Sequence, residues 1–226
     1  LLVGDFPVNH DHPVMLLRSW ITGTQVIPRF SLTGFSLTMF AGFPANSLYS
    51  MGTDLLVCGV KLLGLGLPSW ETAYCWALFL FVLSYPLGLY ALGRRFAGPW
   101  AGLVAGVLGL VDRGLWFQSG WDFNLNWGVW SMGLSFSMCL FAYLALDRLL
   151  ARPSPTALAA TAFCIGFAVL CHPMAVAILG ATLPLLVLAK ALYGRLGAPG
   201  LWLPRTVAAV TLGIGLAAFW LLPFVT

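Results

Sequence analysis

Asp5, His10, Asp11 and His12 fall within the ten residues Gly4-Asp5-Phe6-Pro7-Val8-Asn9-His10-Asp11-His12-Pro13, in a chain that has only seven acids and three histidines. A carboxylate in such a cluster can serve as a general base or orient a leaving group. His-x-His beside carboxylates is also a metal-ligand pattern, but a weak one, because His10 and His12 point apart in an extended segment. Arg18 follows Asp11 by seven residues, two helical turns, and so returns to the same face. A guanidinium there can hold a phosphate through two parallel hydrogen bonds. A second constellation runs from Arg113 to Trp127. Asp122, Asn124 and Asn126 supply oxygens for a hard cation or for sugar hydroxyls. Trp116, Trp121, Trp127 and Trp130 can stack on a ring or lie in an interfacial belt. His172-Pro173 stands alone at a helix turn. The plainer reading of the first cluster is a solvated loop whose Asp or His caps the next helix.

These groups need elements to hold them, and composition says what those elements are. The 226 residues are 60% hydrophobic and 8% charged, with a mean hydropathy of +0.93. A soluble domain carries roughly 25% charged residues, and a chain this apolar needs a bilayer as its solvent. Ten Trp and six Tyr suit interfacial belts. The expected fold is therefore all-α, a polytopic transmembrane helix bundle. Cysteines 58, 75, 139, 164 and 171 lie singly in apolar runs and read as core residues, without disulfide or metal spacing. There is no nucleophile elbow, P-loop, H-E-x-x-H or dinucleotide fingerprint, so hydrolase and nucleotide chemistry have no support. The positive net charge reports topology and gives no reason to expect nucleic acid.

Pro13 to Gly23 reads as a short helix with Pro at its first position. Residues 30–48 read as an interfacial loop. Tyr49 to Leu67 has the length of a span but carries Asp54 and Lys61, which share one helical face and read as the solvated side of an interfacial helix. Spans are then expected at Glu71–Leu92, Gly98–Val111, Trp127–Leu146, Thr156–Cys171, Met174–Ala189 and Val207–Leu222. This ordering puts Arg94, Arg95, Arg148, Arg152, Lys190, Arg195 and Arg205 on one side, cytoplasmic by the positive-inside rule. Six of the seven acids and all three histidines fall on the other side, provided that 49–67 does not cross. The expected organisation is one membrane domain over 1–226, with an outer loop at 4–70 and six spans over 71–222. Leu1-Leu2-Val3-Gly4 reads as the tail of a span that begins earlier, and Phe219 to Thr226 as a span's exit. The sequence thus reads as a piece of a longer protein.

The order of features resembles the GT-C superfamily of polyprenyl-phosphate-sugar glycosyltransferases. The likeness rests on Asp11-His12-Pro13 followed by Arg18, Gly23-Thr-Gln-Val-Ile-Pro28-Arg29, the amphipathic stretch from Asp54 to Gly64, and Glu71 opening a span that ends Arg94-Arg95. Leu-Cys-His172-Pro173 and Ala-Phe-Trp220-Leu-Leu-Pro223-Phe add to it. The layout is similar to protein O-mannosyltransferases, aminoarabinose transferases and related bacterial membrane proteins. The resemblance implies sugar transfer from a polyprenyl-phosphate donor at the outer face of a bacterial inner membrane, with Asp11 and Asp122 catalytic. It implies substrate contacts from Arg18, His12, His172, Asn124 and Trp121, and a divalent cation, Mg2+ or Mn2+, on Asp11 and Asp122 if one is used. The alternative is a non-catalytic subunit of the same build, a scaffold among other membrane subunits. A transporter would need polar groups at mid-membrane, and the spans have almost none.

Overall fold

The computed structural model describes residues 6–38, 42–47, 49–114, 120–194, 196 and 199–225. Asp5, Phe40, Trp116 and Arg195 lie outside these. The described chain is an all-α membrane bundle with one short hairpin. Its elements are α1 (His12–Ile21), β1 (Gly34–Ser36), β2 (Phe43–Ala45), α2 (Gly52–Leu63), α3 (Trp70–Ala97), α4 (Pro99–Val111), α5 (Trp130–Ala151), α6 (Pro155–Cys171), α7 (Met174–Leu192) and α8 (Pro199–Val225). π-helical turns at Thr22–Val26 and Asp122–Asn126 and a 3-10 turn at Ile27–Arg29 complete the order.

Among the described residues four helices are long and apolar enough to cross a bilayer, within α3, α5, α7 and α8. The 28 residues of α3 rise about 42 Å against a hydrocarbon thickness of about 30 Å. Its start and stop follow from sequence. The Ser69 hydroxyl accepts from the Thr72 N–H, Glu71 faces the positive end of the helix dipole, and Arg94 and Arg95 face the negative end. The Ser154 hydroxyl caps α6 in the same way, accepting from the Ala157 N–H. The apolar helices α4, of 13 residues, and α6, of 17, are shorter. In place of length, α4 has close packing. A Cβ built on Gly102 would lie 2.6 Å from the Tyr90 carbonyl oxygen, so only glycine lets the α3 and α4 backbones approach this far. Gly166 and Gly213 do the same for α6 and α8, where the Gly213 oxygen lies 2.7 Å from a Cβ on Gly166.

Two ionic contacts fix the sense of the bundle. Arg95 and Lys190 both pair with Asp147, which brings the C-termini of α3, α5 and α7 to one end. At the opposite end the starts of α3 and α5 and the finish of α6 meet α1 and α2, around Met15, Val57, Tyr74, Leu78, Trp130 and Cys171. A second core, with Cys139, Leu146, Ile165, Val169, Leu179 and Trp220, joins α5, α6, α7 and α8. α7 and α8 both lean on this core and leave between them an open apolar cleft of about 640 Å3.

The structure departs from the sequence-based expectations in four places. The 30–48 loop contains an antiparallel hairpin, Phe35 opposite Pro44, closed over Ile21 and Val26. The first helix runs on into a π-helical turn. α5 begins at Trp130, later than the expected Trp127, because Gly128 holds φ +79°, a conformation open to glycine. And α2 does not present a solvated polar face: Asp54 is fully buried, while Lys61 turns back onto the Gly66 and Pro68 carbonyls and the Trp70 ring. At 12 residues α2 rises about 18 Å, short of a span.

Candidate functional site

The Asp11 cluster and the Asp122 cluster meet at one end of the bundle. The Asp11 N–H donates to the Trp127 carbonyl at 3.1 Å, and the His10 ring stacks on Trp127 with centroids 4.6 Å apart. Gly128 makes the approach feasible, since a Cβ there would sit 2.7 Å from the His12 nitrogen. His12 then seals the joint. It is wholly buried, with Nε2 2.7 Å from the Leu125 carbonyl and Nδ1 2.8 Å from the Tyr74 hydroxyl. A carbonyl only accepts, so Nε2 carries the proton and Nδ1 accepts from the Tyr74 O–H. The Tyr74 oxygen in turn accepts from Trp130 Nε1–H at 2.8 Å. The result is a one-way chain, Trp130 to Tyr74 to His12 to Leu125, that joins α5, α3, α1 and the 121–128 segment.

That chain holds only for neutral imidazole. Burial pushes the His12 pKa below the ordinary value, outweighing the opposing pull of the Leu125 carbonyl and Asp11. A histidine depressed in the folded state is stabilising above its unfolded value, and the contribution is lost as pH falls toward the folded one. Stability should therefore fall below pH of about 6.5, by at most about 1.4 kcal/mol per pH unit for this group. His172, also lowered by burial, adds a slope of its own. The check is the melting temperature from pH 7 to 5 in wild type and His12→Gln. The wild type should lose more, and equal slopes would exclude His12 as the source.

A second network locks α1 to α2. Arg18 Nη2 donates to Asp54 Oδ2 at 2.8 Å and to the Ser50 carbonyl at 2.7 Å. The Ser19 hydroxyl donates to Asp54 Oδ1 at 2.9 Å, and the Arg18 guanidinium lies over the Tyr49 ring. The Ser50 hydroxyl reaches the Cys171 carbonyl at 2.7 Å and ties the assembly to the end of α6. Burial pushes the Asp54 pKa up, against the pull of Arg18 and Ser19. So Arg18, expected to hold a phosphate, is spent on an internal ion pair, and the Asp54 expected in solvent is its partner.

The remaining predicted residues divide. Asp122 is half-exposed, paired with Arg113 at 3.6 Å and accepting from Asn126 Nδ2 at 2.9 Å. Asn124 is buried, its Nδ2 donating to the Gly120 carbonyl while its Oδ1 faces Gly133 without a hydrogen bond. Trp121 donates to the Leu110 carbonyl. His172 caps the end of α6, and its Nδ1 accepts from the Met174 N–H, away from the Asp11 cluster in sequence and in its contacts. Asp11 differs from all of these: it is exposed, sits at the N-cap of α1 without a capping bond, and among the described residues has no ion pair or side-chain hydrogen bond. Among the described residues no three His, Cys, Asp or Glu side chains converge, and Asp122 is already engaged. Sequence reasoning missed Tyr74, the hydrogen bond that Trp130 donates to it, and the pairing role of Asp54. The only signals were a phenol and an acid inside otherwise apolar runs.

Residues 62–226 match the family described as "6-pyruvoyl-tetrahydropterin synthase related domain; membrane protein". The chain belongs to that family. No curated protein and no solved structure matches it. The family match overturns the GT-C reading, and with it the glycosyltransferase activity, the polyprenyl-phosphate sugar donor and the scaffold built on the same likeness. The features that carried that likeness were an acid beyond a span, a Gly/Pro loop, an amphipathic helix and terminal arginines. They describe a layout that polytopic chains of different chemistry can share. What the match and the fold establish together is a membrane protein in contact with lipid.

Proposed function

We propose that this membrane protein binds a membrane-borne amphiphile at the end of its bundle that carries the acids, with Asp11 engaging a hydroxyl or ammonium of the headgroup. The observation that carries this reading is the contrast in polar groups. The His12 chain closes on its own members and Arg18 pairs with Asp54, whereas the carboxylate they hold in place has no ion pair or side-chain hydrogen bond among the described residues. An unpaired carboxylate on a fixed mount can accept a proton from a headgroup or pair with its positive charge. The surroundings suit an amphiphile, since Val8, three residues before Asp11, and Trp127, whose carbonyl accepts from the Asp11 N–H, both expose apolar surface. Asp122, Asn124 and Trp121 belong to this site as the segment that supports Trp127. Arg18 and His12 belong to it as positioning residues. By the positive-inside rule this end faces outward, because Arg94, Arg95, Arg148, Arg152 and Lys190 lie at the other.

The test uses dodecylammonium as the probe, titrated into the detergent-solubilised protein and followed by tryptophan fluorescence. Asp11→Asn keeps the shape and removes the charge. It should weaken binding roughly tenfold or more, the worth of a hydrogen bond to a charged group. Equal affinity for the two proteins removes Asp11 from the site.

A further inference from the structure

At the opposite end, the finish of α5 and the start of α6 enclose an open cavity of about 780 Å3 walled by Arg95, Asp147, Arg148, Arg152 and Ser154. Its one acid is already spent. Asp147 is buried, with Oδ2 taken by Arg95 Nε and Oδ1 by Lys190 Nζ. Arg148 and Arg152 are exposed, and no acid among the described residues pairs with either. Arg148 lies in the last turn of α5 and Arg152 is the residue that ends it, and both line the cavity. Ser154 caps the N-terminus of α6 beside them, adding the positive end of a helix dipole. Paired guanidinium forks at a helix start recognise phosphate in particular, by charge and by parallel hydrogen bonds.

We propose that this cavity binds the phosphate of an anionic phospholipid headgroup from the adjacent leaflet. A lipid is the occupant because the cavity lies at the ends of α3 and α5, two helices long and apolar enough to cross a bilayer. Phe96 and Trp100, at the junction of α3 and α4 on the same end, are exposed aromatics of the kind that settle among headgroups. Basic pockets between helix ends are a recurring way for membrane proteins to retain anionic lipid. The protein would thus be polarised, with an unpaired carboxylate at one end and unpaired arginines at the other.

The test compares retention of phosphatidylglycerol and phosphatidylcholine by the full chain in mild detergent, read by native mass spectrometry, with inorganic phosphate as a third arm. The wild type should retain phosphatidylglycerol preferentially. Arg148→Gln with Arg152→Gln should lower that preference roughly thirtyfold, from the contribution of two arginines at a membrane surface. Arg95, Asp147 and Lys190 remain intact in that variant, and unchanged circular dichroism establishes its fold. Replacing both arginines by lysine keeps the charge but loses the forks, and should fall between the two. Equal retention of both lipids by the wild type, which needs no variant, overturns the proposal. So does a preference that survives the double substitution, or thermal stabilisation by inorganic phosphate equal to that by the lipid.

Discussion

Replacing Asp54 by leucine is expected to cost about 3–5 kcal/mol, the usual penalty for stranding one member of a buried ion pair. Arg18 and Asp54 are 7% and 0% exposed, so the stranded guanidinium cannot recover water without opening the fold. Its Nε has no hydrogen-bond partner among the described residues even in the intact protein. The Ser50 carbonyl would be its one remaining oxygen acceptor. The effect should appear as release of α1 and α2 from the bundle, because the same network continues through Ser50 to Cys171. Arg18→Met combined with Asp54→Leu should recover most of the loss, since exchanging a whole buried pair for apolar groups is often neutral or better. Thermal unfolding in detergent, followed by tryptophan fluorescence, measures both proteins. A double variant as unstable as the single one would mean that the pair itself supplies the stability.

Tyr74→Phe is expected to cost roughly 2–6 kcal/mol, because it leaves two buried groups without partners at about 1–3 kcal/mol each. The ring contacts with Phe6, His12 and Trp130 survive the change. What is lost is the hydroxyl, which accepts from Trp130 Nε1 and donates to His12 Nδ1. Trp130→Phe should cost the network less. It removes a donor but leaves the Tyr74 O–H to His12 bond intact and orphans no nitrogen. Hydrogen exchange at residues 10–15, compared among the three proteins, separates this from a general loosening. Faster exchange there in Tyr74→Phe alone is the expected pattern. Equal exchange in the two variants would contradict the direction drawn for the chain.

The helices were readable because each is written in local terms. Apolar runs of span length, Ser69 and Ser154 as caps, and arginines in last turns all act within a few residues. The polar networks were not readable, because their partners are remote in sequence. Arg18 meets Asp54 across 36 positions and His12 meets Leu125 across 113. Seven-residue spacing placed Arg18 on a face with Asp11 and Asp54 on a face with Lys61, whereas Arg18 and Asp54 pair with each other. A helix face says which residues share a side and is silent on what that side packs against. The delayed start of α5 traces to Gly128, whose role emerges only once His12 lies against it. The same limit explains the family correction. The order of features is a statement about layout, and chemistry resides in contacts that order alone does not specify.

The central claim is that the networks hold Asp11 as an unpaired carboxylate to which a headgroup binds. Photolabelling addresses it most directly, with a dodecylamine that carries a diazirine next to its ammonium group, mapped by mass spectrometry. The predicted labels fall in residues 9–12 and 121–128, and disappear in Asp11→Asn while circular dichroism is unchanged. Labels confined to the cleft between α7 and α8, or labels at 9–12 that persist in the asparagine variant, would contradict the account.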